Sequence, residues 1–318
     1  MPAINRFITS AESLITTHEE TRAGFLNIAL KKNRIGDPFV KNAFAFKTMV
    51  AHTHSPEDFL SMVEIRPFLV AAAGLSDKAQ NHLNDEDKVI VIKELIDKFL
   101  LPAGDNYIDE AVFRYLLTKG DSVGGTIRNM IGELGQEKLI RAIFSCMDVR
   151  GTPCEKLSVG SKRWSGVNKS ENGVEEKVKA LRWSNSSGKR RLIFNINVPV
   201  VGKNVDICLY NDDGSHSSNS QISHLNEQAI MFGELKGGID PAGADEHWKT
   251  GNTALNRIRT SFHDAGYPHI LTSFIGAAIE RSMADEIYAQ LMNGTLSNAA
   301  NLTKGDQLVE YCNWLIEL

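Results

Sequence analysis

No apolar run in this 318-residue chain is long enough to cross a bilayer. The longest near-continuous one, 68–75, is far shorter than the ~20 residues that a transmembrane helix needs. The opening stretch MPAINRFITSAES lacks the apolar core of a secretory signal, so a cytoplasmic protein with no membrane partner is expected. Cysteine is scarce: Cys146, Cys154, Cys208 and Cys312 include no C-x-x-C pair, which argues against a zinc site or a disulfide framework and for reduced thiols. Internal repeats and low-complexity tracts are also missing. The acid excess gives a net charge of −4, which speaks against bulk nucleic-acid binding. What remains is globular in type, 42% hydrophobic and 23% charged, and long enough for one large or two moderate domains with a real core.

The charge is unevenly spread. Between Lys156 and Lys203 stand eleven Lys or Arg against three acidic residues, with Trp164 beside Arg163 and Trp183 beside Arg182. Such a stretch is either a solvated lysine-rich hairpin or the footprint of a polyanionic substrate. Its place just before the strand carrying Asp206 favours the second.

Chemistry concentrates in AIMFGELKGG, 229–238. Ile230, Met231 and Phe232 make a short apolar strand, after which Glu234 and Lys236 stand two residues apart and so share one face. Asp206 interrupts a second apolar run, Val205 to Tyr210. Two carboxylates are hard oxygen ligands for Mg²⁺, and a neighbouring lysine can orient water and offset developing negative charge; the trio suits metal-assisted phosphodiester hydrolysis. The plain alternative is a salt-bridge pair at a strand end. Glu86–Lys88 and Glu175–Lys177 repeat the spacing in charge-rich runs that follow no such strand.

Along the chain, Thr17-x-x-Glu20 is a capping box for a helix to about Lys32, with Lys31, Lys32 and Arg34 leading into a break at Gly36. From Asp37 to about Tyr115 the spacing is helical, punctuated by starts at Ser55-Pro56 and Ser76 and by a long helix from Asp85 to Leu101. Lys78, a cation in a first helical turn, is a candidate for DNA contact. Gly120-Asp121-Ser122 reads as a turn and cap; Gly124 and Gly125 then imply close approach of a backbone or a phosphate, with Arg128 and Asn129 at the same end. From Lys179 the period changes to strands, then alternates strand and helix through Met292, which points to an α/β core. A mainly helical region over 1–112 and a catalytic α/β domain over 113–318 are expected.

TRAGFLNIALKKNR, AAGLSDKAQNHL, LTKGDSVGGTIRNMIGELG and GELKGGIDPAGADEHWKTG, with the Asp206, Glu234, Lys236 trio, resemble the BsoBI/AvaI family of type II restriction endonucleases. Val205 stands where the general PD-(D/E)xK motif has proline. The resemblance implies a PD-(D/E)xK core, with a mixed central sheet flanked by helices, preceded by a helical DNA-clasping region. It further implies a Mg²⁺-dependent homodimer that cuts both strands of double-stranded DNA at C-Y-C-G-R-G after the first C, leaving 5′ overhangs. A host would carry a cognate methyltransferase, which is not a binding partner.

By the same resemblance, Asp206 and Glu234 hold the metal with the Leu235 carbonyl, Lys236 serves the attacking water, and His247 stands near the scissile phosphate as a general base. Asp240 and Lys78 are the candidates for reading base edges. Lys162, Arg163, Lys189, Arg190 and Arg191 are expected to hold phosphates without reading sequence. The rival readings are a repair or recombination nuclease on the same core and a DNA-binding protein that does not cut.

Overall fold

The computed structural model describes residues 5–168, 173–215 and 218–318; the side chains of Arg128 and Asn129 lie outside the described set. Contacts group the chain into two compact units, Leu26–Met130 and Met1–Phe25 with Ile131–Leu318. This division differs from a single cut at 112/113, because the N-terminal segment is bonded into the sheet unit.

Helix α1 (His18–Met49) starts on the expected box: Thr17 N donates to Glu20 Oε2 at 2.7 Å and Glu20 N to Thr17 Oγ1 at 3.2 Å. It does not break at Gly36 but continues through Pro38. Burial of Ala43 and Phe46 beyond that point outweighs the local penalties of roughly 1 and 3 kcal/mol for glycine and proline. After α2 (Arg66–Ala72), Ser76 caps α3 (Asp77–Gln80), accepting from Ala79 N at 3.2 Å. The expected long helix is α4 (Asp85–Leu95) prolonged by a π-helical stretch, Ile96–Leu100.

Helix α5 (Tyr107–Val149) overturns the turn expected at 120–122, running unbroken for 43 residues. Of the two close approaches expected at Gly124 and Gly125, that of a backbone is not found among the described residues: a Cβ built on either meets nothing within 4 Å. The core of the helical unit is aromatic. Phe68 stacks on Phe46 and Tyr115, with ring centroids 3.6 and 3.9 Å away.

The sheet unit holds β1 (Cys154–Ser158), β2 (Ser165–Gly166), β3 (Val178–Asn185), β4 (Gly188–Val198), β5 (Lys203–Asn211), α6 (Asn219–Ile222), β6 (Ala229–Lys236), α7 (Ala244–Asp264), β7 (Leu271–Gly276), α8 (Arg281–Met292), β8 (Asn298–Asn301) and α9 (Gly305–Glu317). Among the described residues the sheet has eight strands, in the order β2-β1-β3-β4-β5-β6-β7-β8. Pairing is antiparallel up to β6 and parallel from β6 to β8. A parallel pair needs a crossover, which α7 provides between β6 and β7. The mixed α/β class is as expected; β1, β2, β8 and α9 have no counterpart in the sequence reading.

Alternation sorts the two faces. Ala180, Ile193, Cys208 and Phe232 line up across β3–β6 and pack with Trp248, Leu255, Ile258 and Phe262 of α7. On the other face Ser273 of β7 shares a 2.8 Å hydrogen bond with Tyr311 of α9. The four cysteines are buried and unbridged, as expected.

The segment before α1 is bonded to the parallel end. Asn5 Nδ2 donates to Ala299 O at 3.1 Å and Gln307 O at 2.8 Å, Thr16 Oγ1 to Ala277 O at 2.8 Å, and Asn301 Nδ2 to Leu14 O at 2.8 Å.

Candidate active site

The site sits at β5 and β6, the last antiparallel pair before the sheet turns parallel. Ile207 pairs with Gly233 and Cys208 with Phe232, so extending the register by one sets Asp206 across from Glu234. Both then lie on the face covered by α7, together with Lys236. Lys236 Nζ donates to Glu234 Oε2 at 2.8 Å and stands 3.7 Å from Asp206 Oδ2. Asp206 Oδ2 accepts from Leu235 N at 2.9 Å. The structure thus brings together three side chains that the sequence separates by up to thirty positions.

Two close approaches hold the strand that carries them. A Cβ on Gly233 would fall 2.6 Å from Ser273 Oγ in β7, and one on Gly237 would fall 2.7 Å from Ile131 O in α5. On α7, Gly251 leaves room for the Lys236 stem: its Cβ would be 3.7 Å from Lys236 Cε and 3.1 Å from the Phe274 ring. Gly237 and Gly251 escaped the sequence reading as site residues. The glycine pair after Glu-x-Lys was the signal available for Gly237; Gly251, inside a helix, had none.

The electrostatics are unbalanced. Burial, then the neighbouring Asp206 charge, pushes the Glu234 carboxyl up to about 7, and Lys236 offsets this only in part. Burial works against the Lys236 ammonium, but the attraction of Glu234 and Asp206 prevails and raises its pKa. Two carboxylates whose mutual repulsion outlasts one lysine fit a divalent cation. Among the described residues no group of three or more His, Cys, Asp or Glu side chains can hold one. A cation here would take two carboxylates and draw further oxygens from backbone, substrate and water. Lys236 O faces β7, accepting from Ala277 N at 2.9 Å. Polar groups of successive strand residues face alternate neighbours, so the Leu235 carbonyl faces β5 and the carboxylates.

The other expected residues are scattered. His247, exposed on the first turn of α7, has its Nε2 3.3 Å from the Cβ position of both Gly238 and Gly243. Asp240 is exposed and caps the turn Pro241–Gly243, its Oδ1 accepting from Ala242 N at 3.0 Å. Lys162, Arg163 and Lys189 are exposed in the sheet unit; Lys78 is exposed in the helical unit.

Arg190 and Arg191 require a correction. They are only 3% and 1% exposed. Arg190 Nη2 donates to Leu318 O at 2.6 Å, and Arg191 Nε donates to Asp212 Oδ2 at 2.8 Å. Trp164 lies under the guanidinium groups of Arg182 and Arg191, at 4.6 and 5.5 Å. Both Arg190 and Arg191 are therefore engaged within the fold rather than presented to a phosphate.

A mixed sheet with an aspartate on one strand and Glu-x-Lys on the next is the arrangement of the PD-(D/E)xK nuclease class. The family model for restriction endonuclease BsobI matches residues 4–318. Type II restriction enzyme AvaI from Nostoc sp. is 47% identical over 311 residues, covering 98% of both chains, and AvaI from Anabaena variabilis matches equally. Type II restriction enzyme BsoBI from Geobacillus stearothermophilus is 46% identical over 314 residues, covering 98% of this chain and 97% of its own. This chain belongs to the BsobI family of type II restriction endonucleases.

Proposed function

We propose that this protein is a cytoplasmic, Mg²⁺-dependent homodimer that cuts both strands of duplex DNA at C-Y-C-G-R-G after the first C, leaving 5′ overhangs. The observation that carries the reading is the cluster of Asp206, Glu234 and Lys236 at a strand end, with Lys236 Nζ 2.8 Å from one carboxylate and 3.7 Å from the other. Asp206, Glu234 and the Leu235 carbonyl would hold the metal. When bound, the ion supplies charge neutralisation and Lewis acidity toward the phosphodiester.

The remaining chemistry belongs to the chain. Lys236, kept as an ammonium, orients the attacking water and faces the negative charge that grows on the phosphate oxygens. Water oxygen forms its bond to phosphorus as the bond to the leaving deoxyribose oxygen breaks. His247 Nε2, seated between Gly238 and Gly243, takes the proton that the water gives up.

Asp240 accepts from a cytosine amino group and Lys78 donates to a purine acceptor, while Lys162, Arg163 and Lys189 hold phosphates. Leu30, Phe44, Phe113 and Leu117, from 60% to 73% exposed on α1 and α5, offer the apolar surface that a second copy would cover. A twofold dimer matches a palindrome. Among the described residues no helix is long and apolar enough to cross a membrane.

Plasmid digestion with Mg²⁺, followed by sequencing of the fragment ends, tests the whole reading. Discrete ends at C-Y-C-G-R-G, with Asp206→Ala and Lys236→Ala each slowed roughly 10²–10⁴-fold, are expected. Ends at another sequence would refute the specificity and keep the chemistry. Duplex bound but uncut would refute the enzyme.

A further inference from the structure

Among the described residues, only Lys177 (φ 53°) and Asn195 (φ 51°) hold a non-glycine backbone in the left-handed region. Both line one cavity of about 580 Å³ in the sheet unit. Strain gathered in one place and held by its surroundings is a mark of function. Asn195 is the more telling of the two, because it lies inside β4. Its neighbours Phe194 and Ile196 keep register with Ile207 and Val205, so the residue across from Asn195 is Asp206.

Regular alternation would set the Asn195 side chain on the face of Ile193, in the space beside Asp206. The left-handed backbone sends it elsewhere: Nδ2 donates to Gln136 Oε1 on α5 at 2.6 Å. The Asn195 carbonyl accepts from Lys179 Nζ on β3 at 2.6 Å. Gln136 is itself anchored, its Nε2 donating to Val178 O at 3.1 Å. Two elements, α5 and β3, thus pin one strained residue next to the proposed metal carboxylate, and asparagine is among the side chains that tolerate this conformation best.

We infer that Asn195 is a positioning residue for Asp206: its left-handed backbone, pinned by Gln136 and Lys179, keeps the sheet open beside that carboxylate and fixes the strand geometry from which it is aimed. The inference rests on Asp206 holding the metal, as proposed above.

Two substitutions separate backbone from side chain. Asn195→Gly adopts the same φ freely but loses the amide, whereas Asn195→Val carries a β-branched side chain that disfavours it. Asn195 is exposed, so neither opens a core cavity. The readouts are single-turnover cleavage, KM for duplex DNA, and Mn²⁺ affinity of the metal-free protein by calorimetry. Asn195→Val is expected to slow cleavage roughly 10- to 100-fold and weaken Mn²⁺ binding about tenfold, with KM within about threefold; Asn195→Gly stays within about threefold throughout. Two unaffected variants would overturn the inference. So would equal losses in both with raised KM, which would make the amide a DNA contact. Retained cutting by Asp206→Ala sinks the reading of Asp206 and this inference with it; loss there, with both Asn195 variants unchanged, sinks the inference alone.

Discussion

The two compact units finish their interiors and surfaces in opposite ways. The sheet unit buries polar side chains and ties many of them into hydrogen bonds: Arg191, Asp212, Glu234, Asn301 and Gln307 are all under 5% exposed and hydrogen-bonded. The helical unit buries stacked rings and leaves Phe44, Phe113 and Leu117 over 60% exposed. Buried polar networks fix geometry at the cost of tolerance, which suits a site aiming three side chains at one point. An aromatic core with apolar surface suits a unit whose outer face meets another molecule.

The sharpest way to break this contrast is at Asp212. Asp212→Ala removes the carboxylate bonded to the Arg191 guanidinium, with both side chains 4% exposed or less, and is expected to cost about 3–5 kcal/mol in urea unfolding. A loss under ~1 kcal/mol would show that the sheet unit does not depend on its buried charges.

Glu234 comes next, and its effect depends on pH. Its folded pKa, about 7, stands above the ordinary 4.5, so the fold prefers the protonated form. Its contribution is complete below pH 4.5 and is lost as pH rises through about 7, on the order of 3 kcal/mol. Metal-free Glu234→Gln should therefore gain on wild type in Tm between about pH 5 and pH 8; a pH-independent difference would contradict this.

Gly233→Ala, which drives a Cβ to 2.6 Å from Ser273 Oγ, should cost about 1–3 kcal/mol. The smallest stability effect is expected in the helical unit. Phe113→Glu with Leu117→Glu should leave stability within about 0.5 kcal/mol, while sedimentation changes from dimer to monomer. A dimer that survives would remove that face from the proposed interface.

The trio was legible because its chemistry is local: a two-residue spacing at the end of an apolar strand already puts Glu234 and Lys236 on one face. The caps at Thr17 and Ser76 were legible for the same reason. What failed depends on distant partners. The four residues of β8, NAAN, have no β-branched side chain and become a strand only because β7 supplies a parallel neighbour. Helix α5 crosses five glycines, which local propensity reads as breaks, because Leu139, Ile140, Ile143 and Phe144 are fully or almost fully buried beyond them. Arg190 and Arg191 looked like phosphate ligands in a basic run; nothing near them in sequence announces Asp212, twenty-one positions away.

The bonds that tie the segment before α1 to the parallel end also set an order of events. Asn5, Leu14 and Thr16 meet partners 261 to 302 positions further along. During synthesis the earliest-made part of the sheet unit must therefore wait, unpaired, until β8 and the first turn of α9 have left the ribosome. Contacts this far apart in sequence close late and slowly. A new molecule thus spends most of its time on the ribosome with that end of the sheet unsealed.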